Sequence, residues 1–173
     1  ANTLQAIARG GARAFYEGAI AEQIAASVHA AGGVMTAADL KAYRVKARAP
    51  VIGTYRGYTI VSMPPPSSGG MHLIQMLNVL EGWNLAELGH NSAAYLHRLI
   101  ETMRRAYADR GEHLGDPDFV SVPVAELTSK DYAAQLRAGI DLARATPSSA
   151  VAPTLKLPTE SPQTTHFSVW DAK

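Results

Sequence analysis

The chain of 173 residues has no cysteine, no excess of charge of either sign and no long apolar run. The absence of cysteine excludes disulfide bonds, thiolate zinc sites and a cysteine nucleophile. The 16 basic and 15 acidic residues give a net charge of +1, which offers no electrostatic attraction to nucleic acid or to an anionic membrane surface. No apolar stretch approaches the roughly 20 residues of a membrane-spanning helix. With 47% hydrophobic residues, the chain has the composition of an ordinary globular protein.

Recognisable motifs for metals and nucleotides are missing as well. The six histidines show no His-Glu-x-x-His or comparable metal spacing, so we expect no metal and no cofactor. Residues 64–70 lack the Gly-Lys-Ser/Thr ending of a phosphate-binding loop. We interpret them as a structural elbow rather than a polyproline ligand or a phosphate cradle. The chain begins at Ala1 without a signal-like segment, which predicts a fragment of a longer polypeptide.

Two helices are predicted near the start of the chain. Ile20, Ile24 and Val28 recur at helical spacing within 15–31, and the glycine pair at 32–33 is expected to end this helix. Thr36 followed by Asp39 has the pattern of a capping box. That pattern predicts a second, short helix.

Residues 51–63 have the twofold period of strands. The segments 51–55 and 58–63 are rich in β-branched and aromatic residues and flank Arg56-Gly57, which predicts a hairpin. The three prolines at 64–66 predict extended backbone, because a proline keeps its predecessor out of the helical region.

Two apolar helices are predicted next. Ser67 or Ser68 caps a helix over 69–81, whose apolar positions surround most of its circumference and predict burial on more than one side. Asn91 is expected to begin the longest helix and Gly111 to end it. An apolar stripe on this helix is expected to pack against the helix over 69–81. The stripe comprises Leu96, Leu99, Ile100, Met103 and Tyr107.

The last part of the chain changes from helix to loop. Thr128 and Asp131 resemble a second capping pair, opening a helix through about Arg137. From about 146 to 163 the chain holds four prolines and three serines without helical period. This composition predicts a long, mobile loop.

Thr164 directly follows that loop and begins a β-prone segment. A threonine hydroxyl needs a base beside it to act as a nucleophile. Cleavage before the threonine would free its α-amine, whose pKa of about 7.7–8.0 suits that role. Taken alone, Thr164-Thr165 also fits an ordinary strand start.

Six motifs occur in a fixed order along the chain. They are FYEG (15–18), YRGY (55–58), MPPPSSGG (63–70), YADR (107–110), LGDPDF (114–119) and QTTHFSV (163–169). Together they resemble the gamma-glutamyltranspeptidase family over the whole chain. The resemblance implies an α/β fold, the αββα sandwich of N-terminal-nucleophile hydrolases, in the full protein, with this fragment mainly helical apart from one hairpin. It assigns 1–145 to the large subunit, 146–163 to a linker before the processing site and 164–173 to the start of the small subunit.

The resemblance also implies a mechanism. The precursor would cleave itself at Gln163–Thr164, and Thr164 would then attack the γ-glutamyl amide of glutathione or a similar compound. Water, an amino acid or a peptide would accept the γ-glutamyl group. Thr165 and His166 would support the nucleophile, with a general-base role for His166 as the alternative. The YADR motif is expected to be structural, with Asp109 and Arg110 as a pair at a helix end.

Further implications concern partners and activity. The remaining small-subunit sequence would be the protein partner, and resemblance to bacterial members suggests a periplasmic or extracellular location. While Thr164 is joined to Gln163, its nitrogen is an amide and cannot serve as a base. The family's oxyanion-hole loop and substrate-binding arginine match nothing in this chain, so we expect the isolated chain to be inactive. Two alternatives stay open: a glutaryl-type β-lactam acylase of the same family, and a non-catalytic helical docking or folding module.

Overall fold

The computed structural model describes residues 2–151. This part of the chain is mostly helical, and its one described sheet is a two-stranded antiparallel hairpin. The predicted mainly helical fragment with one hairpin is therefore confirmed. The chain divides into two compact units, Ala1–Ala47 and Arg48–Lys173.

The first unit holds four helices: α1 Asn2–Gly10, α2 Arg13–Tyr16, α3 Ala19–Ala30 and α4 Ala37–Ala42. The helix predicted over 15–31 begins later, because Gly18 has a positive φ of 74° and separates α2 from α3. The predicted capping box at the start of α4 is confirmed. The Thr36 hydroxyl oxygen accepts from the Asp39 N–H at 3.2 Å, and the Asp39 carboxylate accepts from the Thr36 N–H at 2.8 Å.

The second unit begins with the predicted hairpin, β1 Val51–Tyr55 and β2 Tyr58–Ser62, with Tyr55 paired to Tyr58. Arg56 and Gly57 form its turn with φ values of 49° and 85°. Positive φ at both central residues matches the type I′ turn, which suits the twist of the strands. Arginine adopts this conformation less readily than asparagine or glycine, so the turn follows from the strand pairing on either side.

The segment between the hairpin and the next helix is a tight elbow, as predicted. Its prolines are not simply extended, however. The Pro65–Pro66 bond is cis, and the Ser67 N–H donates to the Pro64 carbonyl at 3.2 Å. A cis proline at the third position forms a type VI turn, which the expectation of extended backbone did not consider.

Helix α5 spans Ser68–Leu80, and the Ser67 side chain caps it by accepting from the Gly69 N–H at 3.1 Å. It packs against the hairpin and three later helices, so the predicted burial on more than one side is confirmed. The buried residues include polar ones. They are Gly70, Met71, His72, Ile74, Gln75, Asn78, Val79 and Leu80.

After a 3₁₀ helix at Leu85–Leu88, helix α6 spans Ala93–His113 and packs on α5 as predicted. Both predicted ends were wrong. Ser92 is the N-cap and accepts from the Tyr95 N–H at 3.1 Å, whereas Asn91 precedes it with a φ of 54°. Gly111 lies within the helix.

The face of α6 that contacts the core differs from the prediction. Glu101, Thr102 and Ala106 are each 1% exposed. The predicted apolar stripe lies mostly on the accessible side: Leu96, Ile100, Met103 and Tyr107 are 38–55% exposed. The periodicity located the helix, but hydrogen-bond partners on neighbouring elements selected the buried face.

Three short helices complete the described chain: α7 Val124–Leu127, α8 Lys130–Ala138 and α9 Ser148–Val151. Ser129 caps α8, in place of the predicted Thr128, whose hydroxyl donates to the Val124 carbonyl at 2.7 Å. The predicted loop over 146–163 differs where α9 forms a helical turn, and its residues from 152 onward lie outside the described part. A core cluster joins α5, α8 and the residues around them: Val79, Ala133, Ile140, Trp83 and Leu136.

Candidate functional site

The predicted reacting residues Gln163 and Thr164 and their neighbours Thr165 and His166 lie outside residues 2–151. Their assignment therefore stays a prediction. The described structure includes the residues that precede them in sequence, from Thr146 to Val151, and the other sequence motifs.

A buried carboxylate on α6 holds the start of that segment. Both oxygens of Glu101, which is 1% exposed, accept hydrogen bonds from Thr146. The Thr146 N–H donates to Oε1 at 3.1 Å, and the Thr146 hydroxyl donates to Oε2 at 2.6 Å. We call this pair, with the arginines described next, the Glu101 anchor.

Two arginines one helical turn away neutralise the buried carboxylate. Arg104 Nη1 donates to Oε1 at 2.7 Å and Arg105 Nη1 donates to Oε2 at 2.6 Å. Both arginines also reach the polypeptide beyond α6. Arg104 Nη2 donates to the Ser148 hydroxyl oxygen at 3.1 Å, and Arg105 Nη2 donates to the Gly139 carbonyl at 2.6 Å.

The protonation state of the Glu101 anchor is set by two opposing effects. Burial alone would raise the pKa of Glu101, because it disfavours the charged form. The hydrogen bonds from Thr146 and Arg105 and the charge of Arg104 outweigh burial and lower the pKa to about 2. Glu101 is therefore ionised at neutral pH.

The YADR motif serves the interior of the second unit. The Asp109 carboxylate accepts from the Tyr132 hydroxyl at 3.0 Å and from the Gln75 amide. Burial raises the pKa of Asp109, against the lowering effect of these two donors. Asp109 thus links α5, α6 and α8, which supports the predicted structural role of the motif.

The LGDPDF motif forms a turn and binds an arginine that the sequence analysis missed. Arg48 Nη2 lies 3.0 Å from a carboxylate oxygen of both Asp116 and Asp118. The Asp116 carboxylate also accepts from the Asp118 N–H at 3.0 Å, which closes the turn. No spacing signal could identify Arg48, which lies 68 residues earlier in the chain.

The YRGY motif is held by a second charged group that the sequence analysis missed. Glu81 accepts from the Arg56 N–H in the hairpin turn and from Lys130 Nζ, both at 2.5 Å. Lys130 Nζ also donates to the Thr54 carbonyl at 2.8 Å and to Asn78 Oδ1 at 2.6 Å. These contacts tie the hairpin to α5 and α8.

His72 is a buried titratable group on α5. It is 3% exposed, and neither ring nitrogen has a hydrogen-bond partner that meets normal geometry within residues 2–151. Burial and the nearby Arg110 charge lower the pKa of His72 to about 4. It is therefore neutral at pH 7 and packs as part of the core.

Two kinds of feature are absent from the described residues. Residues 2–151 contain no group of three or more histidine or acidic side chains placed to hold a metal ion. No described helix combines the length and the hydropathy needed to cross a bilayer.

Comparisons with known proteins give one consistent result. A family model described as Gamma-glutamyltranspeptidase matches residues 1–173. The glutathione hydrolase proenzyme of Escherichia coli (strain K12) is 49% identical over 171 residues, which cover 99% of this chain and 30% of that protein. The Acylase ACY 1 proenzyme of Pseudomonas sp. (strain SE83) is 42% identical over 172 residues, again with 99% and 30% coverage.

The fold comparison agrees. The crystal structure of Helicobacter pylori gamma-glutamyltranspeptidase matches with a TM-score of 0.79 and 47% identity. The match covers 94% of this chain and 46% of that chain. Against the two curated relatives named above, this chain spans only about 30% of their length.

Proposed function

Because the chain belongs to the gamma-glutamyltranspeptidase family, we propose that it is part of a self-processing enzyme acting on γ-glutamyl amides of the glutathione type. The observation that carries this proposal is the 49% identity to a glutathione hydrolase proenzyme over 99% of the chain. Coverage of that extent reaches QTTHFSV at 163–169, so the similarity includes the residues to which the chemistry is assigned.

The first proposed step is self-cleavage at Gln163–Thr164. The Thr164 hydroxyl attacks the Gln163 carbonyl carbon, and an N-to-O acyl shift replaces the peptide bond with an ester. Water then hydrolyses the ester, leaving a carboxylate on Gln163 and a free α-amine on Thr164. The shift converts an amide, which resists hydrolysis, into a more reactive ester.

The second proposed step is turnover. The α-amine of Thr164 takes the proton from its own hydroxyl, whose oxygen attacks the γ-carbonyl of the substrate. The amide nitrogen leaves with a proton, and a γ-glutamyl ester of Thr164 remains. Water, an amino acid or a peptide then accepts the γ-glutamyl group. Thr165 and His166 hold the nucleophile in position, and no cofactor takes part.

The proposal extends to the rest of the protein. Residues 1–163 form the end of the large subunit, and the small subunit begins at Thr164 and continues beyond the given sequence. Together the two subunits complete an αββα sandwich. The full protein works in the periplasm or outside the cell, which follows only from the likeness to bacterial family members.

One alternative substrate class has an observation in its favour. The 42% identity to a protein named as an acylase proenzyme favours an acylase as the alternative, and the substrate predicted for it is the glutaryl-type side chain of a β-lactam. The higher identity to a glutathione hydrolase proenzyme over the same span favours γ-glutamyl compounds. Rates of the full-length protein on a γ-glutamyl anilide and on a glutaryl β-lactam would separate the two.

The proposed nucleophile is tested in the full-length protein. Thr164→Ala is expected to abolish both self-cleavage and transfer, because one hydroxyl makes both attacks. Thr164→Ser is expected to retain some of each, with rates lowered by up to about 100-fold, because serine keeps the hydroxyl but lacks the methyl group that positions it. Denaturing gels measure cleavage, and release of the anilide product measures transfer.

Thr165→Ala is the matched control, since it removes a neighbouring hydroxyl and should leave measurable cleavage at the same bond. Cleavage at another bond, or normal transfer by Thr164→Ala, would show that the nucleophile is a different residue.

A further inference from the structure

We propose that Glu101 is a positioning residue for self-cleavage, acting through Thr146 to hold the segment that carries the Gln163–Thr164 bond. The inference rests on the function proposed above. It adds to the machinery of that reaction a residue that lies 63 positions before the nucleophile and outside the six motifs.

The contacts of the Glu101 anchor are concentrated on one short stretch of backbone. Thr146 uses both its N–H and its hydroxyl on the two oxygens of one carboxylate. Charge-assisted hydrogen bonds to an ionised group are shorter and stronger than neutral ones. Because Glu101 is 1% exposed, water does not compete for these bonds.

The arginines fix the geometry of the anchor. Arg104 and Arg105 each bind one oxygen of Glu101, so the carboxylate cannot rotate without breaking an ion pair. Arg104 then binds the Ser148 hydroxyl oxygen, two residues further along the segment. The anchor therefore fixes two positions of this later segment, Thr146 and Ser148, against the side of α6.

The anchor also reduces the number of residues between a held position and the bond. Thr146 lies 18 residues before Thr164, whereas the preceding core residue, Ile140, lies 24 residues before it. For a flexible chain, the probability that its end reaches a given position falls with length, and it is about 1.5-fold lower for 24 residues than for 18. Loss of the held position at Ser148 adds to this, so we expect self-cleavage to slow by about two- to tenfold without the anchor.

Cleavage removes the connection on which this effect depends. After hydrolysis, residue 163 is a chain end and Thr164 begins a separate polypeptide. The anchor then no longer constrains the nucleophile. A role in positioning therefore predicts slower maturation with unchanged kcat and KM in the fully cleaved enzyme, whereas a general folding defect would lower activity in both forms.

The test follows newly made full-length protein by denaturing gel after a short period of cell-free synthesis. Glu101→Gln and Thr146→Val are expected to slow cleavage at Gln163–Thr164 by about two- to tenfold. Their double variant should be no slower than the more affected single variant, since both act through one contact. Fully cleaved enzyme from each variant should match the wild-type kcat and KM.

The matched controls lie in the same part of the fold but away from residues 146–151. Asp109→Asn makes the same carboxylate-to-amide change on α6, and Tyr132→Phe removes a hydroxyl as Thr146→Val does. Tyr132→Phe loses the hydrogen bond from Tyr132 to Asp109, and Asp109→Asn replaces its charged acceptor with a neutral amide. Both variants should cleave at the wild-type rate.

Each other outcome argues against the proposal. Wild-type cleavage rates in Glu101→Gln and Thr146→Val would overturn it and leave the proposed function intact. Slowing in the controls as large as in the anchor variants, or a lowered kcat in cleaved anchor variants, would show a general structural effect instead. A wild-type protein that never cleaves would overturn the proposed function and this inference together.

Discussion

At the scale of single residues, Gly70 is required by a close backbone contact. A Cβ atom at this position would lie 2.1 Å from the Met63 carbonyl oxygen, because the elbow folds the end of the hairpin onto the start of α5. Gly70→Ala is expected to lower the free energy of unfolding by about 1–3 kcal/mol, the usual cost of overpacking. Urea unfolding measures the change.

The neighbouring glycine provides the control for this prediction. A Cβ at Gly69 would meet only the Ser67 side-chain oxygen, at 3.3 Å. Gly69→Ala should change the free energy of unfolding by less than about 1 kcal/mol, because the higher helix propensity of alanine offsets the close contact with Ser67. Equal losses in the two variants would show that the backbone contact is not the cause.

Glu101 gives a second residue-scale prediction, for the dependence of stability on pH. Its pKa is about 2 in the folded protein against an ordinary value of 4.5. A depressed folded pKa contributes stability that is present above the unfolded pKa and is lost as pH falls through the folded pKa. The contribution, on the order of 3 kcal/mol, should therefore disappear between about pH 5 and pH 2.

Other carboxylates also titrate in that range, so the informative quantity is a difference between proteins. The free energy of unfolding of Glu101→Gln should be well below that of the wild type at pH 6. The gap should narrow as the pH falls toward 2, because the wild-type carboxyl becomes protonated. A gap that is constant with pH would contradict the assigned pKa shift.

At the scale of elements, α6 buries a polar face and leaves an apolar one accessible. The buried face carries Glu101 and Asp109, whose partners lie on α5, α8 and the segment at 146–151. Those hydrogen bonds would be lost if the helix turned its apolar stripe inward. The exposed stripe agrees with a chain that spans only 30% of its relatives' length, because a larger protein has further surface to bury.

The accessible stripe predicts dye binding by the isolated chain. Leu96, Ile100 and Met103 are exposed and are spaced four and three residues apart, so they share one face of α6. An exposed apolar face of this kind binds 8-anilinonaphthalene-1-sulfonate. Ile100→Gln should lower the fluorescence of the bound dye and change stability by no more than about 0.5 kcal/mol. Ala94→Gln, on an exposed position of the same helix outside the stripe, should leave the fluorescence unchanged. Equal effects of the two changes would show that the dye binds elsewhere.

At the scale of the whole molecule, contacts between residues far apart in sequence hold the second unit together. Arg48, Lys130, Asp109 and Glu101 tie the second unit together through charged contacts. In these four contacts the two residues lie 23 to 76 positions apart in sequence. Four of the six motifs, apart from FYEG and QTTHFSV, form turns or interior contacts of this unit.

The isolated chain is therefore expected to be inactive. The 173-residue polypeptide should stay intact during incubation at neutral pH and should release no product from a γ-glutamyl anilide. While the Gln163–Thr164 bond persists, Thr164 has no amine to act as its base. Intact mass and product absorbance measure the two outcomes, and the full-length protein is the positive control. Turnover by the fragment would mean that it already contains every essential group.

Much of the local structure could be predicted from sequence because its causes are local. The Thr36–Asp39 capping box, the hairpin around Arg56-Gly57 and the helix after Ser67 each depend on residues within a few positions of one another. Errors in the helix starts arose where two adjacent residues could serve equally well as the N-cap. Asn91 and Ser92 are both good N-caps, as are Thr128 and Ser129, and the later residue caps the helix in both cases.

The sequence by itself determined the family and the order of the hairpin and the longer helices from α3 to α8, because motif order and short-range periodicity are properties of the chain alone. It is also the basis on which Thr164 is predicted as the nucleophile. Tertiary structure decided which face of α6 is buried, that Arg48 binds Asp116 and Asp118, and that Glu101 holds Thr146. The physical reason is that a buried charge requires a partner. Where that partner lies 45 to 70 residues away, only the folded chain brings the two together.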